Sequence, residues 1–323
     1  MGSFRIRDLI LTYGFYVVLG IIFVVYSIIA PHFFTLSNMM AILHSAAPLM
    51  VTACGIAFVI MMAKIDISLG SIAFFSVGLG IMLVARNEWP LPAGILVIIL
   101  AGCALGAVNG FCVTVLKINP LILTLGMLFT YRGAALYITD SAIIGVPEAL
   151  RSFGIASVGP VFLDTIFALV LLFAMHIVQT RTVFGKHVLA IGNDERTAAN
   201  IGINVRKVKF WGFMLTGLFA ALGGLLTICQ VGSVNPSIGN GLEFTAIAVI
   251  VIGGISLFGG EGRILPGIVL GVLTLAVIEN GLNLMGTSPY TYPFVRGSII
   301  LIAMYADSLK SRVSQHVQIA SIE

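Results

Sequence analysis

The stretch TRTVFGKHVLAIGNDERTAANIGINVRKVK, Thr180 to Lys209, decides how the rest of the chain is read. It is a polar island between two long apolar segments, and it gathers Arg181, Lys186, Arg196, Arg206, Lys207 and Lys209. Loops rich in Lys and Arg stay in the cytoplasm when their flanking segments insert into a bilayer. Inside the island, Asn193 or Asp194 can cap a short helix running through Glu195, Arg196, Thr197, Ala198, Ala199, Asn200 and Ile201. Gly202 suits the left-handed residue that stops such a helix. Asp194 and Glu195 stand at the end where the helix dipole favours anions. About two turns are too short to be stable alone in water, so this helix needs a surface to dock on. Ala198, Ala199 and Ile201 offer a small apolar face, either for a groove on a cytoplasmic partner or for the protein's own membrane domain. Asn204 then caps the apolar segment that follows.

Outward from the island the chain is almost continuous hydrophobe. Of its 323 residues 59% are hydrophobic and 9% charged, too little polar surface for a soluble domain of this size. Because the apolar runs are continuous rather than alternating, the expected fold is all-α: a polytopic membrane protein, not a barrel. A bilayer core takes about 20 apolar residues per helix. On that measure about ten spans are expected: Leu11 to Ala30, Ala41 to Ala63, Ser71 to Ala85, Ala93 to Leu116, Leu121 to Thr139, Phe162 to Gln179, Phe210 to Val231, Leu242 to Phe258, Leu265 to Met285 and Phe294 to Tyr305. Residues 1–323 read as a single transmembrane domain with the island as its one large loop.

Charge orients the spans. With the N-terminus inside, Arg5, Arg7, Lys64, Lys117, the island cations, Arg263, Lys310 and Arg312 all fall at cytoplasmic ends. Arg86 and Arg151 fall outside, and Arg132 and Arg296 fall within spans. This asymmetry places both termini in the cytoplasm. Arg5 and Arg7 precede an apolar run too long for a cleaved signal, so the first segment reads as an anchor that stays. Cys54, Cys103, Cys112 and Cys229 lie inside apolar spans without metal-binding spacing and read as small buried hydrophobes.

Motifs for chemistry are missing. Around Gly185 and Lys186, a phosphate-binding loop would need glycine where Thr180 stands and Ser or Thr where His187 stands, so the chain has no ATPase motif of this kind. The five histidines lack metal spacing, and no nucleophile elbow or paired carboxylates occur. An enzyme acting on a lipid-linked substrate would need such a cluster on its cytoplasmic face. No metal or resident cofactor and no nucleic-acid partner is expected.

Two turns interrupt the hydrophobe. In MMAKIDISLGSIAFF, Lys64 and Asp66 sit between two spans, where a lone charge at the centre of a helix would cost about 2.5–3.5 kcal/mol. The spacing favours a non-helical turn closed by Ser68 and Gly70. Asp66 then either caps the next helix from a cytoplasm-facing turn or serves an ion relay. The second turn, GGISLFGGEG from Gly253 to Gly262, shares a Ser-Leu pair followed by Gly and suggests a weak internal duplication. Gly102, Gly106 and Gly110, and Gly267 and Gly271, have the spacing of close helix contacts.

Five blocks, in order, carry a resemblance. They are KIDISLGS (64–71), INPLILTLGMLFTYRGAAL (118–136), AIGNDERTAANIGINVRKVK (190–209), GLEFTAIAVIVIGGISLFGGEG (241–262) and ENGLNLMGTSPYTYPFVRGSIIL (279–301). From about Phe33 to Asp307 the chain resembles the permease subunits of ribose-type sugar ABC importers. The resemblance implies a second permease subunit, identical or related, a cytoplasmic ABC ATPase that binds the ATP, and a periplasmic or extracellular sugar-binding protein. It implies that Asp194 to Gly202 is the helix that couples to the ATPase, and that the turn at Asp66, Ser68 and Gly70 lies near the inner mouth of the path. Asn109, Asn235, Asn280 and Asn283 are candidates to meet sugar hydroxyls by residue type. One departure stands out: Ala63 and Lys64 occupy places where that family has glycines. Lys64 is expected to reach lipid phosphates. The competing reading is an ion-coupled secondary transporter or channel using Asp66 or Glu279, which would need no ATPase.

Overall fold

The computed structural model describes residues 2–305 other than Pro289, Ile300 and Ala303, with side chains from residue 16 onward. Lys310 and Arg312 lie outside the described residues, as do the side chains of Arg5 and Arg7. The elements run α1 (Gly2–Ile29), α2 (Leu36–Met61), α3 (Leu69–Asn87), α4 (Leu91–Thr114), α5 (Pro120–Thr139), β1 (Ile144–Gly145), α6 (Glu148–Ile155), β2 (Ser157–Val158), β3 (Val161–Phe162) and α7 (Leu163–Arg181). They continue with α8 (Val183–Asn193), α9 (Glu195–Asn200), α10 (Val205–Val231), β4 (Ser233–Val234), α11 (Leu242–Ile252) and α12 (Ile264–Leu284). Residues 291–299 are again helical. The strands are two-residue clasps: β1 pairs antiparallel with β4, and β2 with β3.

Local chemistry accounts for the helix ends. Thr35 caps α2 by accepting from the Asn38 N–H at 3.2 Å. Asn119 caps α5 through the Leu121 N–H at 3.0 Å, with Pro120 at the position where its missing N–H costs nothing. Gly232 ends α10 in the left-handed conformation, φ 78°.

Among the described residues seven helices are long and apolar enough to cross a membrane: α2, α3, α4, α5, α7, α10 and α12. Their packing follows lipid rather than water as the outer solvent. The most apolar of them, α4, has a mean hydropathy of 2.4 over a window that is 22% buried, whereas α2, at 1.8, is 72% buried. Helices α2 and α10 form the centre with α3 and α12 against them, and α4, α5 and α7 turn their apolar sides outward. The close contact of α4 with α10 is made by the glycine row. A Cβ on Gly106 would lie 2.5 Å from the Phe213 carbonyl oxygen, and one on Gly102 2.6 Å from that of Gly217. In lipid, where no hydrophobic force joins helices, this backbone proximity supplies the packing. Gly267 and Gly271 bring α12 against Gly253 and Val249 in the same way.

The eighth expected span is shorter than the reading placed it. Leu242 to Phe258 is apolar throughout, yet α11 stops at Ile252, because Gly253 and Gly254 (φ 80°) turn the chain away. Its 11 residues reach about 17 Å, roughly half a bilayer core. The first expected span lies in α1, a helix of 28 residues whose described side chains, from Tyr16 to Ile29, form an apolar stretch.

Candidate functional site

Met61 ends α2 at the same side of the molecule as the island. There Ala63 takes a left-handed conformation (φ 55°) and the chain passes through Asp66 to α3. Asp66 is fully buried. Its Oδ1 accepts the Ser68 N–H at 2.9 Å and the Ser68 hydroxyl at 2.6 Å. Asn109, from α4, donates to Ser68 Oγ at 2.8 Å and to Asp66 Oδ2 at 3.5 Å, while Tyr131, from α5, donates to Asn109 Oδ1 at 2.9 Å. Asp66 is therefore not the exposed helix cap of the capping reading. It lies in a sealed network joining the turn to two further helices, and α3 has no side-chain cap. Gly70, one residue into α3, leaves no room for a Cβ against the Gly239 backbone.

The second glycine turn folds back onto the first. The Gly260 N–H donates to the Met61 carbonyl at 2.9 Å. Gln179, buried at the end of α7, donates to the Gly262 carbonyl at 2.9 Å and accepts the Ile264 N–H at 2.8 Å. Gly192, in α8, sits against both turns. A Cβ there would run into the Met61 carbonyl and the Gly260 backbone.

The island forms two helices, α8 and α9, where the sequence reading named one. Asp194 caps α9 through the Thr197 N–H, Gly202 is left-handed at φ 89°, and Asn204 caps α10 through the Lys207 N–H at 3.0 Å. The Thr197 N–H bond holds the Asp194 carboxyl below its ordinary value. Glu195 pairs with Lys209 at 2.6 Å and with Lys64 at 3.3 Å. Partial burial pushes the Glu195 carboxyl up, but the Lys209 hydrogen bond and the charges of Lys209 and Lys64 outweigh it and hold the group below its ordinary value. Lys64, expected to reach lipid phosphates, thus pairs with the loop helix. Helix α9 is two-sided: Ala198 is buried in the core, while Arg196, Thr197, Ala199, Asn200 and Ile201 are exposed.

The remaining candidates are dispersed. Asn280 exchanges two 2.9 Å bonds with Asn38, tying α12 to α2, Asn283 is exposed, and Asn235 accepts the Ser237 N–H of its own turn. Arg132 donates to the Ile238 carbonyl at 2.7 Å and that of Pro236 at 3.2 Å, with the Phe74 ring 5.0 Å away. Arg296 bonds Glu279 and, at 2.6 Å, the Thr245 hydroxyl. Sequence reasoning missed Tyr131, and it missed a cluster on the opposite side of the molecule in which His44 lies 2.9 Å from buried Asp164 and Gln230 donates to Asp164 at 2.6 Å. The signal available was a polar residue inside an apolar segment, which names the residue but not its partner.

A multi-pass helical membrane protein with a basic loop docked on two interhelical turns has the build of a transport component. Comparison with known proteins specifies it: residues 38–304 match the family described as "Branched-chain amino acid transport system / permease component". The chain belongs to that family, and its role is that of a permease component rather than of an enzyme. It is similar to the probable ABC transporter permease protein YphD of Escherichia coli K12, at 36% identity over 93% of this chain and 90% of the relative. It is similar to the ribose import permease protein RbsC of the same strain, at 33% identity over 91% and 92% of the two chains, and to its D-allose transport system permease protein AlsC, at 32% over 93% and 92%. No solved structure matches this chain.

Proposed function

We propose that the protein is the membrane-spanning subunit of an ABC importer that carries a monosaccharide or related polyol into the cytoplasm of a bacterium by alternating access. The observation that carries this is the match of nearly the whole chain, at about one-third identity, to permeases whose names specify ribose and D-allose. The family description mentions branched-chain amino acids, but these relatives favour the sugar. Two such subunits, alike or related, would enclose the path, with an extracellular binding protein delivering the sugar and a separate ATPase binding the ATP. About ten spans with both termini inside follow from the charge asymmetry. They require α1, α11 and the helix at 291–299 to complete the seven long helices as spanning or half-spanning segments. The chain works as one membrane domain in this reading.

Helix α9 is the coupling element. Its Glu195 pairs with Lys64 of the first turn and Lys209 of α10, and the adjoining α8 seats Gly192 against both turns, so a pull on the exposed side of α9 is passed through the loop to the ends of α2 and α12. Asp66, Ser68, Gly70 and Asn109 then hold the inner mouth, and Asn280 and Asn283 stand further along α12. Ion coupling is disfavoured, because Asp66 is satisfied by Ser68 and Asn109 and Glu279 by Arg296. The test is copurification of the ATPase with wild type and with Ala199→Glu, alongside uptake of labelled ribose and allose. Because Ala199 is exposed, the variant should insert and fold normally while losing both the ATPase and uptake. Undiminished uptake by Ala199→Glu would remove α9 from the coupling role.

A further inference from the structure

On the island side a cavity of about 610 Å³ opens between the α4–α5 turn, the Lys64 turn and the start of α10. Five cations line it: Lys64, Lys117, Arg196, Arg206 and Lys209. Glu195 is the only carboxylate in the lining, and it is already shared by Lys64 and Lys209. Lys117, Arg196 and Arg206 form no ion pair within 4 Å among the described residues, although the charge of Asp194 is close enough to feel Arg196. Such a concave arrangement attracts an anion strongly, since fields of one sign add up between low-dielectric walls.

Two further observations narrow the ligand. Lys117 holds a left-handed backbone conformation, φ 56°, which glycine or asparagine would adopt more readily. The conformation carries a cation to the cavity at the point where α4 ends. The walls are also partly apolar: Val113, Ile118 and Pro120 line the cavity at the ends of two membrane-crossing helices. Beside them Val115, Leu116 and Leu121 are exposed on the side of the molecule where lipid chains would lie. Cations above, hydrocarbon-compatible surface beside, and a position at the ends of crossing helices are the features of a headgroup site.

We propose that this cavity binds the phosphate headgroup of an anionic phospholipid. A soluble phosphate shares the charge, but it has no use for the apolar side of the cavity. Since Glu195, Arg196 and Ala199 all line the cavity, a bound lipid would brace α9 beside its Glu195 anchor. The assignment to the cytoplasmic leaflet rests on the orientation proposed above, but the binding itself does not.

The test places the full chain in nanodiscs of phosphatidylcholine, with or without phosphatidylglycerol, and measures retained lipid by native mass spectrometry after release into detergent. Phosphatidylglycerol should be retained in preference to phosphatidylcholine. Lys117→Gln and Arg206→Gln should each lower its retention about fivefold and together about 25-fold. Lys186→Gln, an exposed island cation outside the cavity, should leave retention unchanged. Equal retention of the two lipids, or an equal effect of Lys186→Gln, would overturn the site. Competition by glycerol 1-phosphate at the same concentration as the lipid would make it a soluble-anion site, and one-for-one displacement of lipid by the ATPase partner would make it a protein seat. Either result overturns the lipid assignment.

Discussion

The two turns that meet under the loop helix solve one problem by different means. Both reverse the chain between apolar helices, and both must satisfy backbone groups away from water. The turn at residues 62–68 does so with side chains: Asp66 accepts from Ser68 twice, and Asn109 and Tyr131 extend the network. The turn at 253–262 does so with backbone freedom. Gly254, Gly259, Gly260 and Gly262 all have positive φ, and Gly260 bonds directly to Met61. A polar network breaks when one partner is lost, whereas a glycine turn breaks when any side chain is added. The two are therefore vulnerable to opposite kinds of substitution.

Asp66→Ala should have the largest effect. It leaves the Ser68 N–H and the Ser68 hydroxyl buried without the acceptor they share, at a cost of about 3 kcal/mol or more. Asp66→Asn keeps the Oδ1 acceptor and should cost much less. Thermal unfolding of the purified permease in detergent distinguishes them, and near-equal losses would mean that the charge, not the acceptor, matters. Gly192→Ala comes next, at about 2 kcal/mol, because its Cβ enters the space held by Met61 and Gly260. It should loosen the loop, which limited proteolysis between α8 and α9 would detect. A variant as resistant as wild type would show that the seat can relax.

Glu195→Gln should cost about 1–2 kcal/mol through the loss of its two lysine partners. The pH dependence has a definite sign. Because the folded Glu195 carboxyl lies below its ordinary value of 4.5, its contribution is complete above that value and fades as pH falls through the lower folded value. Wild type should therefore lose part of its advantage over Glu195→Gln in acid, and a constant difference down to that range would contradict the assignment. The smallest effect belongs to Asp194→Ala, which removes one exposed helix cap. It should fray α9 in hydrogen exchange without changing the membrane helices.

Much of the loop was legible in the sequence. Asp194, Gly202 and Asn204 do what their local chemistry dictates, since a cap depends on neighbours a few residues away. The glycine row on α4 was legible for a similar reason, spacing along one helix face. The partners of Lys64 and Asp66 were not. Lys64 finds Glu195 across 131 positions of chain, and Asp66 meets Asn109 and Tyr131 from two other helices, so nothing in local sequence announces either contact. The end of α11 was hidden for another reason: hydropathy continues through Ile255, Leu257 and Phe258, while the glycines before them turn the backbone.

By itself the sequence determined that this chain belongs in a membrane, which segment is its polar loop, and which residues cap the loop helix. These are consequences of solvent transfer and short-range hydrogen bonding, and both act along the chain. Only the tertiary structure decided that Lys64 pairs with Glu195 of the loop, that Asp66 is sealed rather than exposed, and that five cations from separate segments line one cavity. Burial and ion pairing depend on which distant segments share a space, and helix packing sets that.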